Sequence, residues 1–191
     1  DLAARKPPVR VKFRYVPLQA VSTELKLAVL VGEDTGFFVH GPLDVDALWE
    51  AIGQWRQGKR LRGASTITEQ LAKNLFLTHQ RSWLRKLDEL RFAWWLEREL
   101  PKRRIFELYL NVIELGTGIY GVDAAARHYY GMPAAELDMA RAASLAATIP
   151  NPTMSNPTTL TDAYFNRRAA IVERMNRLGH LRAVLARLAR K

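Results

Sequence analysis

Gly63-Ala-Ser-Thr-Ile-Thr-Glu-Gln-Leu-Ala-Lys-Asn-Leu-Phe76 opens with small and hydroxylated residues and then takes on the periodicity of a helix. Ile67, Leu71 and Leu75 recur every fourth residue and predict an apolar stripe. Thr66, Gln70, Lys73 and Asn74 recur at three- and four-residue spacing and form a second stripe made only of hydrogen-bonding groups. An ordinary surface helix fills its polar face with interchangeable Glu and Lys. A hydroxyl, two amides and one ammonium suit a polar, anionic ligand instead.

Helical periodicity returns on both sides of this stretch. Upstream, Ser22 caps a helix running to about Gly32, and a second helix is expected from about Val45 to Gln57. Downstream, helices are expected over about Trp83–Glu99, Arg103–Ile113, Val122–Tyr130, Leu137–Thr148 and Asp162–Leu178, the last of the series. The Arg103–Ile113 helix should bury Ile105, Leu108, Tyr109 and Val112. The run Gly116-Thr-Gly-Ile-Tyr-Gly121 reads as a tight connection between helices. A nucleotide loop is excluded there, because no strand precedes it and it lacks both the Walker lysine and the dinucleotide fingerprint. Alternation through Val9-Arg-Val-Lys-Phe-Arg-Tyr-Val16 predicts one short strand. The fold class is therefore mainly α, with residues 1–20 an arm and residues 21–191 one domain.

The chain has 191 residues, no cysteine and a net charge of +10. Disulfide and thiolate chemistry are excluded. Nucleic acid, an anionic membrane surface and a phosphorylated substrate are the partner classes that so basic a chain leaves open. No nucleic-acid motif is present, which removes the first. No segment reaches the ~18 apolar residues that span a bilayer, and there is neither an initial Met nor a signal peptide. The chain reads as a piece of a longer protein, with any membrane anchor upstream of Asp1.

Two further clusters carry chemistry. Glu33-Asp34 falls at a helix C-terminus, where the macrodipole disfavours a carboxylate's charged form, as a general acid or base near neutral pH requires. Phe37 and His40 follow as an aromatic wall and a polar ring. Arg85-Lys-Leu-Asp-Glu89 places Arg85, Lys86 and Glu89 on one helix face. Alone this is a solvated ion pair; beside Lys73 it could hold phosphate oxygens. His79 and His128 stand apart, so no metal cage of protein ligands is indicated. No nucleophile elbow supports a Ser-His-Asp reading.

Together, Glu33-Asp-x-x-Phe37-x-x-His40, Gly63-Ala-Ser-Thr-Ile-Thr-x-Gln70-Leu-x-Lys73-Asn74, Arg85-Lys-x-x-Glu89 and Lys102-x-x-Ile105-x-Glu107-Leu-Tyr-Leu-Asn111 resemble glycosyltransferase family 51, the peptidoglycan polymerases. The later Glu114–Gly131 stretch resembles the monofunctional biosynthetic transglycosylases, over about residues 14 to 178 in all. The resemblance implies a lysozyme-like, two-lobed helical fold with a cleft between lobes. It implies a domain on the outer, periplasmic face of the bacterial cytoplasmic membrane, anchored by a single pass in the full-length protein. The reaction implied is β-1,4 polymerisation of lipid II into glycan strands with release of undecaprenyl pyrophosphate. Glu33 would be the general base and Glu89 the second catalytic carboxylate. Lys73, Arg85 and Lys86 would hold the pyrophosphate. Thr66, Gln70 and Asn74 would line the same site with Asp34, Phe37 and His40. No cofactor is expected to be tightly bound, although a divalent cation, Mg or Mn, could bridge the diphosphate. Trp49, Trp55 and Leu61 would contact the membrane, with Lys59, Arg60 and Arg62 at lipid headgroups. Partners would be lipid II, the growing glycan, the membrane surface and proteins of a cell-wall synthesis complex.

The sequence departs from the family pattern at four places. His40-Gly41-Pro42 stands for His-His-Gly, and Thr35-Gly36 for polar or basic residues. Glu69 replaces the first glutamine of a Gln-Gln pair, and Arg141 replaces a glutamate. These bear on donor affinity more than on reaction class. A lytic transglycosylase or muramidase of the same fold is the enzymatic alternative, but it gives no reason for Lys73, Arg85 and Lys86 to converge. A non-catalytic cell-wall scaffold gives none for Glu33 and Glu89.

Overall fold

A computed structural model describes residues 9–45, 49, 53, 56–57, 65–77, 83–159 and 161–188. The chain divides into two compact units, Asp1–Gly32 with Leu110–Lys191 and Glu33–Tyr109. The described elements are mainly helical: α1 (Thr23–Glu33), α2 (Ile67–Phe76), α3 (Trp83–Glu99), α4 (Lys102–Val112), α5 (Val122–Tyr130), α6 (Met139–Ala146), α7 (Asp162–Arg177) and α8 (Leu181–Leu188). Most of the helix expected over Val45–Gln57 lies outside the described residues.

The first unit is built on α1. Ser22 starts it, its Oγ accepting from the Leu25 N–H at 3.1 Å. Leu25 to Val31 are buried without exception, each large apolar side chain stabilising the fold by roughly 1.5–3 kcal/mol. Lys26 is tolerated inside because its Nζ reaches the Leu18 carbonyl at 3.3 Å. A helix end leaves carbonyls without partners. Here α7 supplies them: Arg174 donates to Val31 O at 3.1 Å and Arg167 to Gly32 O at 2.9 Å. Arg182 of α8 clasps Glu24 of α1 with two bonds of 2.6 and 2.9 Å.

Two sequence expectations are corrected in this unit. The chain around Gly116 is a β-hairpin, not a plain connection: β2 (Glu114–Gly116) and β3 (Ile119–Tyr120) pair antiparallel. Among the arm's described residues the one strand is β1 (Lys12–Phe13), shorter than the Val9–Val16 alternation predicts, and it joins β3 in parallel with Lys12 opposite Ile119. Strands this short carry no alternation to read. Gly121, at φ 82°, then turns the chain into α5; a Cβ there would stand 2.7 Å from the Asn111 carbonyl oxygen. The Asn111 side chain acts like a peptide group, accepting from Val16 N at 2.8 Å and donating to Val16 O at 2.9 Å. The second correction is α8, since the Arg-rich end continues as a helix beyond α7.

The second unit holds α2, α3 and α4 as far as Tyr109. Ile67, Leu71 and Ala72 of α2 are fully buried, as are Ala93 of α3 and Ile105, Phe106 and Tyr109 of α4. The expected stripe stops one turn early, because Leu75 is 43% exposed and Phe76 stacks on Phe92 near the surface. Phe37 packs on Phe38 and Phe106 beneath the Lys102 ammonium, which lies 4.4 Å from its ring centre. Lys102 in turn pairs with Glu97 at 2.6 Å, and Thr68 donates to the same carboxylate at 2.5 Å.

Candidate active site

All of the described site residues lie in the second unit, and α2 organises them. Thr66 caps α2, its Oγ1 accepting from Glu69 N at 3.2 Å while its hydroxyl donates to Pro42 O at 2.9 Å. Asp34 satisfies the next orphan donor, accepting from Ile67 N at 3.0 Å. Both side chains are therefore spent on fixing the start of the helix.

Within the first two turns, two consecutive residues connect to two separate carboxylates, Gln70 to Glu33 directly and Glu69 to Glu89 through Lys86. Gln70 donates from Nε2 to Glu33 Oε2 at 2.9 Å, and its Oε1 accepts from the Tyr109 hydroxyl at 2.9 Å. Because an amide has distinct donor and acceptor ends, the tyrosine bond fixes which end faces Glu33. Glu69, only 1% exposed, accepts from Lys86 Nζ at 2.6 Å. Lys86 also donates to Glu89 at 2.7 Å and to Ser65 Oγ at 3.4 Å, and Arg85 meets the other Glu89 oxygen at 3.5 Å. Glu89 itself is 4% exposed. Burial raises the Glu69 pKa, although the bonds from Lys86 oppose the rise. For Lys86, burial favours the neutral amine, but the two carboxylates outweigh it and its pKa is raised.

Four residues further along α2, the picture reverses. Lys73 and Asn74 are exposed, and among the described residues neither side chain has a hydrogen-bond or ion-pair partner. The structure thus places Glu33 with Gln70, and Lys86 and Arg85 with Glu89. It leaves Lys73 and Asn74 on open surface of the same helix. Phe37 is wholly buried and Thr66 nearly so, as core and cap respectively. Trp49 is 65% exposed. Trp55 and Leu61 lie outside the described residues, with Lys59, Arg60 and Arg62.

His40 donates from Nε2 to Asp34 at 2.6 Å and lies 2.6 Å from Gly41 O through Nδ1. Burial opposes its charged form, but these two bonds and the Asp34 charge prevail, and its pKa is raised. Asp44 completes a group of possible metal donors within 4.8 Å of one another. That group fits a metal ion poorly, because both ring nitrogens already face oxygens as donors and leave no lone pair to coordinate one.

Sequence reasoning missed the Glu69–Lys86 pair, which joins residues seventeen apart, and the part Tyr109 plays beyond packing. It also missed an apolar surface cavity of about 480 Å³ lined by Pro42, Leu43, Leu90, Arg91 and Trp94. Leu84, Leu87 and Trp95 of α3 are exposed as well.

Two buried carboxylates, Glu69 and Glu89, thus share Lys86, while Glu33 is held by Gln70 of the same helix. Residues 3–176 match the family described as transglycosylase, and the chain belongs to that family. Its relatives narrow the class. A biosynthetic peptidoglycan transglycosylase of Methylobacillus flagellatus is 51% identical over 147 residues, covering 76% of this chain and 64% of the relative. The protein of that name from Rhodospirillum centenum is 50% identical over 84% of this chain and 69% of its own. The one from Bordetella pertussis is 46% identical over 93% and 75% respectively.

Proposed function

We propose that the chain is a peptidoglycan glycosyltransferase that polymerises lipid II into β-1,4-linked glycan strands and releases undecaprenyl pyrophosphate. The supporting observation is that one turn of α2 holds Glu33 through Gln70 and the Lys86–Glu89 pair through Glu69. Glu33 accepts the proton of the acceptor sugar's 4-hydroxyl as that oxygen attacks the donor's anomeric carbon. The bond from that carbon to the pyrophosphate oxygen breaks, and its electron pair leaves with the diphosphate. Negative charge grows there in the transition state, so cations fixed beforehand lower the barrier. Lys73, Arg85 and Lys86 supply them, and Glu89 keeps the latter two in place. A magnesium or manganese ion would neutralise the same diphosphate, held chiefly by phosphate oxygens because Glu69 and Glu89 are taken up by Lys86.

The place of action is the cell envelope, at the outer face of the cytoplasmic membrane where a lipid-linked donor is presented. No described helix is long and apolar enough to cross a membrane. Trp49, Leu43 and Trp94 are exposed, and Arg91 lines the same apolar cavity as the last two. Leu43, Arg91 and Trp94 would form a surface able to rest in a lipid interface, and the exposed Trp49 would insert alongside. Proteins of a cell-wall synthesis complex would act alongside.

The test is incubation of the purified chain with labelled lipid II and separation of the products on a gel. Glu33→Gln should abolish polymer, a loss of about 10²–10⁴-fold for a general base, with the circular dichroism spectrum unchanged. Full activity in that variant overturns the base assignment. Cleavage of purified sacculi, without polymer from lipid II, overturns the reaction.

A further inference from the structure

Ile105, Phe106 and Tyr109 of α4 are all 0% exposed. A phenylalanine at position 109 would fill the same space, so the hydroxyl is the part of Tyr109 that packing does not account for. It carries one proton, and that proton goes to Gln70 Oε1 at 2.9 Å. The other end of the same amide donates to Glu33 Oε2 at 2.9 Å. All three residues belong to the second unit. The two bonds run in one direction, from α4 through α2 to the last residue of α1.

Each end of the amide acts differently. A glutamine side chain is long, and a half-buried one has several rotamers open to it. The tyrosine bond restricts that freedom and leaves the amide hydrogens facing Glu33. Turned by half a rotation, the amide would set Oε1 against the carboxylate, and a proton taken up by Glu33 would be held there by Oε1. In that arrangement the buried tyrosine proton would lose this acceptor, which disfavours it. The donor to Glu33 is also neutral. It steadies a carboxylate charge without cancelling it, whereas Glu89 meets the cations Lys86 and Arg85.

We propose, on the reading of Glu33 as the general base, that Tyr109 is a positioning residue for the proton transfer. Its buried hydroxyl locks the Gln70 amide, and the locked amide keeps Glu33 aimed and charged when the acceptor sugar's hydroxyl arrives. Tyr109 acts through Gln70 rather than on substrate. Small errors of aim at a reacting group are costly, so a side chain one step removed from the chemistry has leverage on the rate.

The test is a double-mutant cycle in the steady-state kinetics of lipid II polymerisation. Tyr109→Phe should lower kcat about three- to tenfold, the loss of one hydrogen bond. KM should stay within about twofold, and the melting temperature should fall by no more than about 2–4 °C. In a Gln70→Ala background the same substitution should change kcat by less than about twofold, because the amide it orients is gone. Nuclear magnetic resonance of the labelled chain gives a readout free of activity. The two Gln70 side-chain amide protons, set apart by the Glu33 carboxylate, should draw together in Tyr109→Phe. An unchanged kcat in Tyr109→Phe, an undiminished loss in the Gln70→Ala background, or amide signals that stay in place each overturns the positioning role. Full activity in Glu33→Gln, with the amide signals still moving in Tyr109→Phe, would instead sink the base assignment and leave the geometry of the three residues standing.

Discussion

The two halves of α2 put the same kind of polar side chain to different uses. In its first turns Thr66, Glu69 and Gln70 are largely withdrawn from solvent and hydrogen-bonded to the protein itself. In its last turns Lys73 and Asn74 are exposed and without a side-chain partner among the described residues, and the apolar Leu75 and Phe76 are exposed with them. A polar stripe that looks uniform in sequence is thus divided between residues that hold the site together and residues left for a ligand. The teaching is that hydrogen-bonding capacity on one helix face does not identify ligand contacts until the internal partners have been subtracted.

This division can be broken or sharpened experimentally. Lys73→Ala should produce the largest contrast, about a 10²-fold fall in kcat/KM for lipid II, as for loss of one preorganised transition-state contact. Its melting temperature should not move, since the ammonium has no described partner. An unaltered rate would remove Lys73 from the diphosphate site. Thr66→Ala should do the opposite, lowering stability by about 1 kcal/mol through loss of the cap while the kcat of the folded enzyme stays within about twofold. A large kcat loss at full stability would show that Thr66 touches substrate.

Glu69→Gln should have a smaller effect. Lys86 is shared between two carboxylates, and neutralising one frees positive charge for the diphosphate. We expect KM to fall about two- to threefold with kcat nearly constant, an effect of a few tenths of a kcal/mol. A rise in KM would mean that Glu69 positions Lys86 rather than competing for it.

The smallest effect concerns His40. Its folded pKa lies above 6.5, so the fold favours the protonated ring. That stabilisation is complete below the unfolded value and is lost as pH rises through the folded one. Thermal melts should therefore fall by about 1–2 °C between neutral pH and pH 9, and His40→Asn should lose this slope. A wild-type melt flat across that range would exclude the charged pair.

Much of this was legible in the sequence. The helices follow from apolar periodicity, and Arg85, Lys86 and Glu89 share a face because three- and four-residue spacing places them there. Other features had no local signal. The hairpin at Glu114–Tyr120 has strands of three and two residues, too short to alternate. Helix α8 was hidden in an Arg-rich end that resembles a solvated tail. Phe37 and Thr66 look like site walls in the sequence, which cannot say which way a ring or a hydroxyl faces; in the fold they serve as core and cap. Glu69 could be flagged as odd, but its partner lies on another helix.

The adjacency of Glu69 and Gln70 has a consequence for anyone altering this molecule. One peptide link joins the residue that steadies Glu33 to the residue that steadies Lys86 and Glu89. A rotation or shift of that turn cannot be felt by one carboxylate alone. Substitutions at the two positions should therefore show strong epistasis, their joint effect departing from the sum of the separate ones. An inhibitor that displaces either partner would disturb both ends of the site together.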